Sequence, residues 1–121
     1  MLDHTEGFLG LTQQVSGRLT QMRTNTPDVM KSFTALGRAA LAPGALDAKT
    51  KELIALALGV ASHCDPCIGF HAKALAGLGA TRQEIDEMLG VAVYMGGGPS
   101  LMYAASAIAA FDEFSAAAAG Q

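Results

Sequence analysis

Glu52-Leu53-Ile54-Ala55-Leu56-Ala57-Leu58-Gly59-Val60-Ala61, followed by Ser62-His63-Cys64-Asp65-Pro66-Cys67-Ile68-Gly69-Phe70-His71, is the stretch that decides the fold. Its first half is apolar on every side of a helix and shows no period-two alternation, which predicts the buried centre of a helical bundle. Its second half gathers the only two cysteines in the chain and one of its three histidines. Pro66 suits the first turn of a new helix, where its missing N–H costs nothing. The spacing therefore predicts two helices that meet at the cysteines.

Helical spacing extends outward in both directions. Phe8, Leu11, Val15, Leu19 and Met22 share one face of a first helix. Thr26-Pro27 reads as an N-cap and first helical residue for a second, with Met30, Phe33, Leu36 and Leu41 facing inward and Pro43-Gly44 ending it. Asp47 is the N-cap of the apolar third helix. The fourth carries Cys67, Phe70, His71, Ala74, Leu75 and Leu78 and stops at Gly79. Thr81-Arg82-Gln83-Glu84 is a capping box, with Ala80 and Ile85 placed as a staple, so a fifth helix starts there. Gly96-Gly97-Gly98-Pro99 ends it and launches a sixth through Leu101, Ala104, Ala105, Ile108 and Phe111. The tail from Ala116 to Gln121 is expected to fray. With no linker or repeat, residues 1–121 read as a single all-α domain of about six helices.

Composition narrows the function. The chain has 121 residues, 50% of them hydrophobic and 16% charged, against roughly 25% charged in an ordinary soluble domain. So little charge on so small a chain predicts a homo-oligomer whose subunits cover one another. A net charge of −3 leaves no basic face for nucleic acid, so none is expected as a partner. The acidic amino terminus lacks the form of a signal peptide, and the apolar runs 53–61 and 101–111 are too short to span a bilayer. No membrane association and a cytoplasmic location are expected. In a reducing compartment, CxxC is redox-active or metal-binding more often than a structural staple.

Helix geometry assigns provisional roles. At the start of a helix, free N–H groups and the dipole favour a thiolate. Cys64 and Cys67 lie three apart on one face, within reach of a disulfide. His71 lies four residues beyond Cys67, which nominates Cys67 as nucleophile and Cys64 as resolving thiol. Oxidation of Cys67 by a peroxide gives a sulfenic acid that Cys64 condenses to a disulfide. A carboxylate from the preceding helix, Glu52, would complete a nucleophile–base–orienter chain, although no spacing argument brings it near Cys67. His63 reads as a loop residue, and Asp65 as a charge opposing thiolate formation. Met88, Met95 and Met102 read as core filling, and Gly96-Gly97-Gly98 as a helix break, so no cofactor is assigned. The competing reading is a non-catalytic oligomer. In it the thiols act as a redox sensor, or Cys64, Cys67, His71 and one of Glu52 or His63 form a zinc shell.

Glu, eleven residues, Cys-x-x-Cys, three residues, His resembles the pattern of the AhpD-like alkylhydroperoxidases in the carboxymuconolactone decarboxylase superfamily. Lys51 to Ala57, Ile68 to Leu75 and the Gly79-Ala80-Thr81 cap share the likeness, which extends from about Pro27 to Phe114. The resemblance implies an all-helical bundle assembling as trimers or hexamers. It also implies thiol-dependent reduction of a hydroperoxide, with a dithiol or lipoyl-type reductant. Cys67 is then peroxidatic, Cys64 is the resolving partner and proton donor, and Glu52 with His71 forms a proton relay. The decarboxylase branch typically lacks the CxxC pair, so that activity is not expected.

Overall fold

A computed structural model describes residues 3–120; Met1, Leu2 and the last tail residue, Gln121, lie outside them. Six helices follow in order: α1 (Gly7–Asn25), α2 (Pro27–Leu41), α3 (Ala48–Ala61), α4 (Asp65–Gly77), α5 (Arg82–Gly96) and α6 (Gly98–Ala119). Among the described residues there is no strand, and no helix is long and apolar enough to cross a membrane.

Local chemistry sets the boundaries. The Asp47 carboxylate accepts from the Thr50 N–H at 2.7 Å and opens α3. Thr81 and Glu84 form the reciprocal capping box of α5, and Lys49 of α3 reaches the Glu84 carboxylate at 2.8 Å. Hydrogen bonding to Lys49 holds the Glu84 carboxyl below its ordinary value and raises the Lys49 ammonium. α4 ends in a Schellman motif, with Gly79 at φ +77° and the Ala80 N–H returning to Leu75 O. α1 has no cap from its own N-cap residue. Instead, Glu113 of α6 accepts the N–H groups of Phe8 and Leu9 at 3.0 and 2.9 Å, anchoring the first helix to the last.

α4 lies at the centre and packs most extensively on α6, then on α3. Ile68, Ala72 and Leu75 of α4 belong to one buried cluster with Leu56 and Val60 of α3, Ile85 and Leu89 of α5, and Phe111 and Phe114 of α6. Ala104, Ala107 and Ala110 line the buried side of α6 and keep its backbone close to its neighbours.

Several expected core positions lie outside that core. α2 has no buried residue: Phe33 is 69% exposed and Leu36 63%, with Met30 and Leu41 only half-buried. Met22 of α1, Leu78 just past the end of α4 and Leu101 of α6 are exposed, as are Met95 and Met102. α3 is not buried all round, because Ile54 and Leu58 face outward. Apolar periodicity marks which face seeks cover without saying which chain provides it. Thr26 begins α2 but turns its hydroxyl back to Met22 O. The tail stays helical to Ala119, consistent with the high helix propensity of alanine.

The capping box offers a direct check on this assembly. Thr81→Ala removes the acceptor for the Glu84 N–H, and urea unfolding should show a loss of about 1 kcal/mol with an unchanged m-value.

Candidate functional site

The α3–α4 joint is three residues long, Ser62 to Cys64, and its hydrogen bonds place the cysteines. The Ser62, His63 and Cys64 N–H groups return to Leu58 O, Val60 O and Gly59 O, closing α3 in a Schellman motif. His63 occupies the left-handed position at φ +56°, where glycine is usual and other residues are strained by roughly 1–2 kcal/mol. Its ring stacks on Tyr103 of α6, with centroids 4.6 Å apart and planes 8° from parallel. That stack is worth about 0.5–1.5 kcal/mol and offsets much of the strain. His63 is thus a wedge at the joint, a role that only the fold reveals.

Cys64, the next residue, is the N-cap of α4: its sulfur accepts the Cys67 N–H at 3.2 Å. Asp65 and Pro66 fill the first two helical positions and Cys67 the third. The two cysteines form a disulfide with Cα atoms 5.2 Å apart, inside the usual range. Close helix approach permits this arrangement. A Cβ at Gly59 of α3 would come within 3.3 Å of the Cys67 Cβ, tighter than ordinary contact.

His71 stands one turn further along α4, and Glu52 comes from the first half of α3. Spacing along the chain could not join these two, yet the crossing of α3 and α4 does. His71 Nδ1 lies 2.6 Å from Glu52 Oε2. The Glu52 side chain is 12% exposed and the His71 side chain 29%, so the pair is shielded but not sealed. With Nδ1–H donating to the carboxylate, Nε2 is left as the proton-accepting nitrogen.

Cys67 and His71 line one cavity of about 270 Å³ with Ala55, Leu58 and Gly59 of α3 and its C-cap residue Ser62. Cys64 is not among its lining residues. The fold therefore brings all four nominated residues into one place, with Cys67 and His71 sharing a cavity and Glu52 behind the histidine. Among the described residues, no three of His, Cys, Asp and Glu converge to hold a metal ion. His63 is engaged with Tyr103 and does not complete a zinc shell. Larger hollows beside α2, one lined by Arg23, Met30 and Arg38 and another by Val29 and Phe33, contain none of these groups.

Comparison with known proteins agrees with the fold. The model of the carboxymuconolactone decarboxylase family matches residues 27–110. An uncharacterized protein of Cupriavidus necator is 38% identical over 88% of this chain and 100% of its own length. Another, encoded in the cox locus of Paracoccus denitrificans, is 40% identical over 71% of this chain and 78% of its own. A crystal structure of a carboxymuconolactone decarboxylase family protein from Legionella pneumophila superposes with a TM-score of 0.88 at 56% identity, covering 89% of this chain and 96% of that one. A family member from Thermotoga maritima, described with a suggested part in the antioxidative response, gives 0.80 at 28% identity over 90% and 93%.

Two substitutions at the joint separate backbone strain from stacking. His63→Ala loses the stack and keeps the strain, and should cost about 1 kcal/mol in urea unfolding. His63→Gly loses the stack and relieves the strain, so its stability should stay within about 0.5 kcal/mol of the parent.

Proposed function

We propose that this chain, which belongs to the carboxymuconolactone decarboxylase family, is a thiol-dependent peroxidase working through the Cys64–Cys67 couple. The observation that carries the reading is the Glu52–His71 contact of 2.6 Å behind a cavity that His71 shares with Cys67. An ordered carboxylate–imidazole pair beside one sulfur of a CxxC couple is the arrangement a base needs to activate a thiol. The suggested antioxidative role of the Thermotoga relative points the same way.

In the proposed cycle His71 Nε2 takes the Cys67 thiol proton, and Glu52 steadies the imidazolium. The Cys67 thiolate attacks one peroxide oxygen, the O–O bond breaks, and the departing alkoxide takes the proton from His71 to leave as an alcohol. Cys67 is now a sulfenic acid. Cys64 sulfur attacks it, the S–O bond breaks, and the hydroxyl leaves with the Cys64 proton as water. The disulfide closes, and an external dithiol returns the couple to its reduced state. One peroxide is reduced by two electrons for each dithiol oxidised. The Cys67 N–H on Cys64 sulfur pulls the other way, toward Cys64 as the better thiolate. A single neutral N–H to sulfur is weak beside a general base, which typically contributes about 10²–10⁴-fold.

The test is hydroperoxide consumption with a dithiol donor such as dihydrolipoamide. Cys67→Ser should abolish it, His71→Gln should slow it by about 10²-fold or more, and Glu52→Gln should slow it less. Cys64→Ser should react once and leave a sulfenic acid on Cys67 detectable by mass spectrometry. A sulfenic acid on Cys64 in the Cys67→Ser protein would reverse the roles. A wild-type protein that oxidises once without turnover would favour the sensor reading.

The same proposal includes assembly. Phe33, Leu36, Leu58, Tyr94 and Met95 are exposed apolar residues on a chain with little charge, more than a small monomer ordinarily leaves open. A second copy of the chain is the proposed cover, in a trimer or hexamer. Light scattering should return a multiple of 12.4 kDa, and Phe33→Glu should lower it toward the single-chain mass.

A further inference from the structure

Six residues line the cavity at Cys67, and the proposed cycle gives parts to only two of them, Cys67 and His71. Ala55, Leu58 and Gly59 bring apolar surface, which leaves Ser62 as the one further polar side chain. Its backbone is fixed, because its N–H returns to Leu58 O at 2.8 Å and the N–H groups of His63 and Cys64 close the same turn. Its hydroxyl is free. Thr26 shows the alternative within the same chain, since its N–H and its hydroxyl both return to Met22 O. The Ser62 hydroxyl makes no such bond to Leu58 O and has no hydrogen-bond partner among the described residues. Ser62 is also exposed, so the hydroxyl is open to an arriving ligand while its Cα stays in place.

We infer that Ser62 is a catalytic residue, which accepts the O–H of the hydroperoxide and aims the terminal oxygen at Cys67. The inference rests on the peroxidase reading above, and follows from what each group in the cavity can do at the moment of attack. A hydroperoxide carries its proton on the oxygen that the thiolate attacks, and that proton needs an acceptor. His71 has by then taken the thiol proton and donates from both ring nitrogens, Nδ1 to Glu52 and Nε2 to the departing oxygen. The Cys67 thiolate is committed as nucleophile, and the alanine, leucine and glycine of the wall offer no side-chain acceptor. The Ser62 hydroxyl, with its two lone pairs, remains. An apolar wall can hold the body of a peroxide without fixing its rotation, whereas attack needs the reacting atoms about 3–3.5 Å apart and aligned. One hydrogen bond to the terminal oxygen supplies that alignment.

Ser62 itself gains and loses no proton in the step. The bond from Cys67 Sγ to the terminal oxygen forms as the O–O bond breaks. The bonding pair goes to the departing oxygen, which takes the proton from His71 Nε2. The terminal O–H stays on sulfur as the sulfenic acid, hydrogen-bonded to Ser62 until Cys64 displaces it. Cys67 is oxidised by two electrons and the peroxide is reduced by two. Because the contact is made to the O–H that every hydroperoxide carries, it acts whatever the rest of the molecule is.

The test compares wild type, Ser62→Ala and Ser62→Thr, each fully reduced, by stopped flow. Oxidation by tert-butyl hydroperoxide should slow about 10-fold in Ser62→Ala, as expected for one lost hydrogen bond. Hydrogen peroxide should show a similar loss, and Ser62→Thr, which keeps the hydroxyl, should recover most of the rate. Alkylation of Cys67 by iodoacetamide, followed across pH by mass spectrometry, involves no peroxide O–H. It should change less than twofold in Ser62→Ala, with the apparent thiol pKa unmoved. Oxidation of Ser62→Ala at the wild-type rate would overturn the assignment. Equal slowing of oxidation and alkylation would do the same, because the substitution would then be acting on Cys67 or His71. So would a loss confined to tert-butyl hydroperoxide, which would make Ser62 part of the wall around the alkyl group. Ser62→Gly repeats the comparison if Ser62→Ala does not fold. A wild-type protein inert to both peroxides would defeat the peroxidase reading and this inference with it, whereas an active wild type matched by Ser62→Ala would defeat this inference alone.

Discussion

Cys64 serves two helices at once, and the arrangement of the site depends on it. Its N–H closes the end of α3 onto Gly59 O, and its sulfur caps the first turn of α4 through the Cys67 N–H. With only Ser62, His63 and Cys64 itself between the helices, the direction in which α4 leaves α3 is fixed within one turn. That direction brings His71, two turns into α4, back against Glu52, two turns before the end of the apolar run of α3. The strained His63 backbone is held in place by a ring from α6, so the last helix also bears on the position of the first cysteine.

Energetics explain why the Glu52–His71 contact is decisive. A largely shielded carboxylate without a partner costs several kcal/mol, whereas one hydrogen-bonded to an imidazole N–H regains much of that. The imidazole gains a fixed tautomer in exchange, with Nε2 free to accept a proton. Neither group needs a metal for this, and neither needs to be fully buried. The disulfide adds a covalent constraint to the same turn, so site geometry and the α3–α4 packing are one problem. Gly59 shows the coupling most directly, because any side chain there presses on Cys67.

Much of this was legible in the sequence where the cause is local. The Asp47 and Thr81 caps, the Gly79 stop and the Gly96-Gly97-Gly98 break follow from short-range rules, and the structure bears them out; one helical turn also sets Cys67 and His71 on the lining of one cavity. Glu52 was legible as a candidate through its spacing in a family pattern, whereas its contact with His71 comes from helix crossing. The Glu113 cap on α1 and the His63–Tyr103 stack join residues 105 and 40 positions apart, beyond any periodicity. The inward faces expected for α2 and for all of α3 were misplaced for another reason. Hydrophobic periodicity reports which side avoids water, and Phe33, Leu36 and Leu58 avoid it without finding cover within their own chain.

Leu58 links that uncovered surface to the chemistry. It lines the Cys67 cavity and is also 61% exposed, so the outer wall of the cavity is an apolar side chain with water on its far side. The Glu52–His71 pair behind it is partly shielded, and its strength depends on how much solvent reaches the carboxylate. Any surface that settles on Leu58 would lower the local dielectric around the imidazole and narrow the approach to Cys67. Covering the apolar face and tightening the thiol site are then the same physical event. A chain this short of charge can keep a polar pair and a disulfide at its edge because the apolar surface around them is what another surface would cover.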